Sequence, residues 1–574
     1  MAVTTIDKFV PGLATLRNYR REWLSADLVA GLSVAAVALP IGIAYAQLAG
    51  FPPVVGIYSC ILPPIAYALF GSSRQLIVNP DAAACAIVAS TVAPLAAGDP
   101  ARYLDLAIAL TAISGVLCIA GGFAGLGVIA NFLSRPILTG YLNGIALSII
   151  VGQLGKLLGF DVASGGFFRT LAAVVSRLDQ THIGTAAVGA SLLILLFAFR
   201  SFFPRLPGPL IAAVIGTVLV YLLGLSNQGV AIVGSVPAGF PVPRFPSVSY
   251  GDLTPLVLGA CGIVLVSFCS MMTTARGFAA KNGYTIDANR DMAALGICDL
   301  ASALNRGFVV SGADSRTAVA DSSGGKSQMT GIIASIAMAG VLLFLTSPVA
   351  YLPITALAAI LISSATGLFD IASIRRYYRL SKPEFLQCLI ATLGVMTIGV
   401  LPGVLIAVAL AILNLLRKGS RPHDVELGLI EGKNHIYASA EEGGKIVPGL
   451  IIYRFDGPIL FFNADYLKAR VSSLINEAST KTRYFLFNAE ACPGLDVTGV
   501  DALESIQKDL AENGITFGIA RAKGVFRATV ELSGVAKEIG SENFFPTIHA
   551  GVHKFLISSE AKGGSGPSVA SVAN

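Results

Sequence analysis

The chain has 574 residues, 54% of them hydrophobic and only 13% charged, with a mean hydropathy of +0.73. Soluble domains carry roughly 25% charge, so this composition excludes an ordinary soluble protein and points to a polytopic membrane protein with the lipid bilayer as its main solvent. The formal net charge of +6 is too mild to suggest a nucleic-acid partner.

The N-terminal segment, residues 1–24, is mixed polar and basic, with Arg17, Arg20 and Arg21 ahead of the first apolar run. That run extends from Leu28 to Gly50 without a cleavage site close behind the charges, so it reads as a retained span rather than a signal peptide. A span needs about 20 apolar residues. Runs of suitable character lie at 28–48, 53–70, 103–124, 136–158, 182–200, 208–225, 253–275, 287–305, 328–347, 352–369, 384–400 and 402–417.

Two further segments are anomalous. After the second run, GSSRQLIVNPDAAACA (Gly71 to Ala86) gives a polar, basic turn, then Asn79-Pro80-Asp81, then an apolar run too short to cross a bilayer comfortably. SGADSRTAVADSSGGKS (Ser311 to Ser327) repeats the arrangement, with Asp314 and Arg316 heading another abbreviated run. A carboxylate at the mouth of a broken apolar segment is expensive in lipid and marks a site. Counting both segments gives about fourteen crossings or part-crossings, an even number. The basic clusters at Arg17–Arg21 and at Arg417, Lys418 and Arg421 then share one side, the cytoplasm by the positive-inside rule. Asp81 and Asp314 are 233 residues apart, and the same offset carries the first run onto 261–281, overlapping the run at 253–275. Two similar halves, each with a broken helix, form the pattern of a transporter that binds its substrate between repeats.

Charge rises after Arg417, and a soluble domain follows the membrane domain, which is placed at residues 25–420. Alternating apolar residues predict a strand ending at Phe455, a second at Ile459–Phe462, and a helix starting at Asn463 or Asp465. YFLFN then reads as a strand, Asn513-Gly514 ends the next helix, and ITFGIA is another strand, so the domain is α/β. It is placed at 421–558, and the tail, 559–574, lacks apolar periodicity and reads as disordered.

The eight cysteines form no CxxC pair and lack histidines at ligand spacing, so they read as free thiols, with no metal or other cofactor implied. The five histidines form no ligand cluster. SSGGKS at Ser322–Ser327 misses a phosphate-binding loop because Ala320 stands where a glycine is required and no strand precedes it. Neither a catalytic triad nor a nucleotide loop supports an enzyme.

PIGIAYAQLAGFPPVVGIYSCILPPIAYALFGSSR (Pro40 to Arg74) closely resembles the entrance signature of the SulP anion permeases. AAKNGYTIDANRDMAALGICDLASALNRGFVVSGADSRTAV resembles the same family's segment leading into its tenth helix. The soluble domain, with D-V-T-G at Asp496–Gly499, is similar to the STAS domain of those permeases. The resemblance implies fourteen helices in two inverted repeats of seven with short third and tenth helices, a C-terminal cytoplasmic STAS domain, and commonly a homodimer in the cell membrane with both termini cytoplasmic. It implies a small-anion substrate, sulfate by default, with bicarbonate, a dicarboxylate, exchange or an uncoupled channel as alternatives. The anion would sit between the starts of the third helix (Asp81, Ala82) and the tenth (Asp314, Ser315, Arg316), beside Tyr45 and Ile41 of the first helix and Ser270 of the eighth.

The departures from that pattern matter. Asp81 replaces an uncharged residue, Asp314 enters a Ser-Leu-Ser-Arg-like start, and Ile41 stands where glutamine is common. Ser270 stands where coupled relatives carry an acid. Two helix starts contribute about +1 in all and Arg316 another +1, against −2 from two ionised aspartates, so the site becomes positive only when one acid takes a proton. Asp81 and Asp314 are therefore candidate proton-coupling groups, although aspartate is also a good N-cap and Arg316 could simply pair with Asp314. Tyr45 could equally be packing, and Arg276 and Lys281 read as snorkelling residues at a helix end. In the STAS turn, Val497 occupies the position that is a phosphorylated serine in stand-alone relatives, so that modification is excluded, and Thr498 is a weak substitute.

Overall fold

The structure, a computed structural model, describes Gly12 and residues 19–131, 134–162, 166–203, 206–243, 245–430, 437–439 and 442–560. Arg17, His435 and most of the expected disordered tail lie outside the described residues, although the helix Ile548–Glu560 runs into the tail's first positions. The chain forms two compact units, Met1–Ala411 and Ile412–Asn574.

Every apolar run read from the sequence lies in a helix or at its end, and the helix of the last run, Val400–Ser420, extends past the end of the first unit at Ala411. The first, Leu24–Leu48, carries Pro40 within it. The second is divided into Pro53–Tyr58 and Leu62–Phe70, because Pro63 and Pro64 have no amide hydrogen to continue the ladder. Gly56 lies so close to Gly42 of the first helix that a Cβ there would come within 2.0 Å of the Gly42 carbonyl oxygen. Among the described residues, seven helical stretches are long and apolar enough to cross a membrane. Residues such as Ile183, Ile194, Leu258 and Ile336 stay outward and exposed, as lipid-facing positions do.

The two broken segments are half-helices. Ala82–Ala96 has 15 residues and Asp314–Ser322 has 9, which at 1.5 Å per residue is about 22 and 13 Å. Neither matches a hydrocarbon layer of about 30 Å.

Helix packing comes in matched pairs. Leu24–Leu48 packs on Met329–Phe344 as Leu253–Lys281 packs on Pro100–Phe123. Ala82–Ala96 lies on Leu253–Lys281 as Asp314–Ser322 lies on Leu24–Leu48. Ile183–Phe202 meets Ile354–Leu368 as Lys382–Thr397 meets Arg135–Leu158. Exchanging corresponding helices of the two halves leaves this pattern unchanged, so the repeat suggested by one spacing extends through the packing.

The second unit is built on a seven-stranded sheet. β3 (Asp424–Ile430) pairs antiparallel with β4 (Tyr437–Ser439), β5 (Gly444–Lys445) and β6 (Leu450–Phe455). β6, β7 (Tyr484–Asn488), β8 (Thr516–Ala520) and β9 (Phe544–Phe545) then run parallel. Side chains alternate with the pleat: Ile451, Tyr453, Phe455, Phe485 and Phe487 enter one core layer, and Leu450, Ile452, Tyr484 and Leu486 the other. Helices Ala464–Glu477 and Val497–Glu512 cover the first layer and Ile548–Glu560 the second. The expected strand at Ile459–Phe462 is not formed: Ile459 makes a single bridge to Leu495, and Phe461–Asn463 is a turn. Gly457-Pro458 interrupts the chain there, and Asn463 Oδ1 accepts from the Leu460 amide, closing the turn into the next helix.

Candidate functional site

The half-helices are brought together by two short strands, β1 (Val78–Asn79) and β2 (Ser311–Gly312). Pro80 keeps the residue before it extended, and the β-branched residues of Ile77-Val78 and Val309-Val310 favour the same conformation. The strands pair antiparallel, Val78 with Gly312 and Asn79 with Ser311, and the Ala313 amide donates to Ile77 O at 2.9 Å. A Cβ on Gly312 would lie 2.7 Å from the Met271 side chain, so glycine is what lets the strand approach the helix Leu253–Lys281.

Because the strands are antiparallel, the half-helices leave the crossing in opposite directions with their N-termini beside it. Each start carries unpaired amides and the positive end of a helix dipole. Asp81 is the N-cap of its helix, and its Oδ2 accepts from the Ala83 amide at 3.2 Å. It is half-buried, and Ala82 behind it is buried. Asp314 does not cap its helix, contrary to the structural alternative considered for it. The N-cap is Ala313, and the Asp314 carboxylate accepts from the Thr274 hydroxyl, which also lies 3.3 Å from Ser270 O. Asp314 and Ser315 are exposed.

Arg316 is 3% exposed. The alternative pairing with Asp314 is not made among the described residues: the guanidinium donates to Pro80 O and, at 3.3 Å, to Ser315 Oγ. Its Cζ stands 5.6 Å from the centre of the Tyr45 ring, a cation–π contact. Arg316 thus links the start of the second half-helix to the residue before the first. Tyr45, with Ile41 one turn earlier, is buried on Leu24–Leu48. Ser270 is buried on Leu253–Lys281, and its contribution to the crossing passes through its carbonyl and Thr274, one turn on.

Two residues of this neighbourhood were not foreseen. Thr274 follows Ser270 by four positions, the spacing that puts two residues on one helix face, so the signal was present. Tyr141, on Arg135–Leu158, has a buried hydroxyl without a hydrogen-bond partner among the described residues and lies within electrostatic reach of Asp81. No sequence pattern marks it. Asn79 Oδ1, Ser267 Oγ and Arg316 Nε are likewise buried and unpaired around the crossing. Such groups are uncommon and ask for water or a ligand.

The other expectations fall elsewhere. Lys281 does not simply snorkel, since it pairs with Asp321 at 2.5 Å. The SSGGKS turn wraps a buried carboxylate: Asp27 Oδ1 accepts from the Lys326 and Ser327 amides at 2.6 and 3.2 Å, and Oδ2 from Ser327 Oγ at 2.7 Å. In the second unit, Asp496 caps Val497–Glu512 through the Gly499 amide at 2.8 Å and also accepts from the Phe461 amide at 2.9 Å. Val497 beside it is exposed.

Residues 24–391 match the sulfate permease family, and residues 444–551 match the STAS domain. The chain belongs to the sulfate permease family. A probable sulfate transporter of Mycobacterium tuberculosis (strain CDC 1551 / Oshkosh) is 39% identical over 548 residues, covering 95% of this permease and 98% of that protein. Sulfate transporter 3.1 of Arabidopsis thaliana is 30% identical, covering 94% and 86%. Among solved structures, the murine Solute Carrier 26 family member A9 anion transporter superimposes with a TM-score of 0.90 at 22% identity, covering 97% of this permease and 94% of that chain. The transmembrane domain of a cyanobacterial bicarbonate transporter, BicA, does so with a TM-score of 0.61 at 22% identity, covering 69% and 98%. The fold is therefore that of these transporters, a helical membrane domain followed by a STAS domain. The family is one of anion transporters, not enzymes.

Proposed function

We propose that this permease is a secondary active transporter of sulfate, coupled to protons, which holds the anion between the starts of Ala82–Ala96 and Asp314–Ser322. The observation that carries the reading is the antiparallel crossing of β1 and β2. It places two helix starts and the buried Arg316 guanidinium around one point, as an anion requires. Sulfate is favoured over bicarbonate or a dicarboxylate because the relatives most similar in sequence carry that name. Tyr45, Ala82 and Ser315 complete the anion's surroundings, and Ser270 acts through Thr274. Asp314 and Ser315 are exposed while Tyr45, Ala82 and Arg316 are buried. A site open on one flank and closed on the other suits alternating access. The basic clusters beside the first and last spans support cytoplasmic termini, and the resemblance to the anion permeases supports a homodimer in the cell membrane.

Coupling falls to the two aspartates because Ser270 has no carboxylate to offer. Thr274 supports Asp314 as the proton carrier. Its hydroxyl has one hydrogen, and both Ser270 O and Asp314 lie within reach. In its ionised form Asp314 accepts that hydrogen; once protonated, it donates to Thr274 Oγ1 instead and leaves the hydroxyl hydrogen for Ser270 O. Asp81 accepts from its own helix, a role suited to the ionised form. With Asp314 protonated, the site's formal charge becomes about +1, and the anion enters with its proton.

The test is sulfate uptake into proteoliposomes across a range of pH, with Asp314→Asn and Asp81→Asn. Uptake by Asp314→Asn should lose its pH dependence and its response to an imposed proton gradient. Unchanged pH dependence in both variants would sink the coupling scheme, and pH-independent electrogenic current in the parent would make the protein an uncoupled conductor.

A further inference from the structure

A cavity of about 630 Å³ in the membrane unit lies away from the helix crossing. It lies where the chain after Phe70, the turn after Lys281 and the start of Ala288–Leu304 meet, and neither Asp81, Asp314 nor Arg316 lines it. Two guanidiniums face it, those of Arg74 and Arg290. Arg74 is exposed and stands 5.3 Å from the centre of the Tyr284 ring, and its guanidinium makes no hydrogen bond or ion pair among the described residues. Arg290 projects from the first turn of its helix, and its Nη2 is buried without a hydrogen-bond partner among the described residues.

The acids close by are already engaged. Asp287 Oδ1 accepts from the amides of Asn289 and Arg290 at 3.0 and 3.2 Å. Asp291, fully buried, accepts from Tyr67 Oη at 2.9 Å, the Ser72 amide at 2.7 Å and Ser72 Oγ at 2.9 Å. The hydroxyls of Ser73 and Tyr284 bond to each other at 3.0 Å. Among the described residues that line the cavity, the cationic side chains are Arg74 and Arg290. Planar guanidiniums with free N–H groups match the oxygens of a tetrahedral oxyanion in paired hydrogen bonds.

We propose that this cavity is a second anion site, separate from the transport site, in which Arg74 and Arg290 bind a tetrahedral oxyanion: free phosphate or sulfate, or the phosphomonoester of a lipid headgroup. The exposed Arg74 captures the anion beside Arg290, whose charge adds to the attraction.

The experiment uses the purified full-length protein in detergent. Its thermal unfolding midpoint is titrated with inorganic phosphate and, separately, with a short-chain phosphatidylinositol phosphate, for the parent and for Arg74→Gln, Arg290→Gln and Arg316→Gln. Stabilisation is expected in the parent and in Arg316→Gln, with the half-maximal concentration raised about tenfold or more in each cavity variant. A response to phosphate assigns the site to the free ion, and a response to the lipid alone assigns it to a headgroup. Arg74 is exposed, so Arg74→Gln keeps the test decisive if Arg290→Gln misfolds. No stabilisation by either probe overturns the proposal. So does a response that survives Arg74→Gln and disappears in Arg316→Gln, which would place all binding at the transport site.

Discussion

Replacing Arg316 by glutamine removes the cation that stands at the helix crossing among the described residues while leaving an amide to donate to Pro80 O. The side chain is 3% exposed, so little water screens its charge. Two charges about 4 Å apart attract by roughly 4 kcal/mol at an effective dielectric of 20, and a hydrogen bond to a charged group contributes about 1.5–3 kcal/mol net. These figures describe overlapping parts of one interaction, so the expected loss is about 2–4 kcal/mol, or roughly 30- to 1,000-fold in affinity. Sulfate uptake into proteoliposomes should show this as a higher KM. Arg316→Lys should fall between parent and Gln variant, since it restores charge without the planar fork that reaches both Pro80 and Ser315. A correctly folded Arg316→Gln protein whose KM stays within about threefold of the parent would refute the placement of the anion at the crossing.

Gly56→Ala should abolish folded protein, read as loss of a monodisperse peak on size exclusion, because its methyl would meet backbone rather than a movable side chain 2.0 Å away. Asp424→Ala should destabilise the STAS domain by about 1–3 kcal/mol, measured by urea unfolding, since the carboxylate accepts from Tyr466 at 2.6 Å and Arg470 at 2.7 Å. Burial holds the Glu426 carboxyl above its ordinary pKa. Its folded form therefore favours the proton, and the stability it contributes is full below the unfolded value near 4.3 and lost as pH rises through the folded value. Glu426→Gln should accordingly increase hydrogen-exchange protection of β3 over the parent at neutral pH, with the difference vanishing as the medium is acidified below about pH 4.

The membrane fold was legible because bilayer crossing imposes length and apolarity residue by residue, and each run at that length became a helix. The repeat was visible as one coincidence of spacing between Asp81 and Asp314, since packing partners are not written in any single segment. The STAS strands were legible as the apolar stretches Leu450–Phe455 and Tyr484–Asn488, which are buried against helices on both faces of the sheet. Ile459–Phe462 misled because four apolar residues fit a strand or a buried turn equally, and Gly457-Pro458 decided between them.

At the site, residue types foretold which groups would gather but not which partner each would take. Asp81 and Asp314 look equivalent in sequence, each beside the start of a broken helix. One position in register separates them: Asp81 precedes its helix and turns back to cap it, whereas Asp314 is the first helical residue and reaches across to Thr274. The same limit governs SSGGKS. A glycine-rich turn with successive inward amides is built to hold an anion, and this one does, but the anion is the carboxylate of Asp27, about 300 residues earlier in the chain. Tyr19 and Thr330 add donors at 3.0 and 3.1 Å, which leaves that carboxylate saturated and the turn fastened to the first span. The physics of the motif therefore holds although the sequence already excludes a nucleotide loop there, because local sequence specifies a cradle's donors and only the tertiary fold determines whether its occupant arrives from solution or from the same chain.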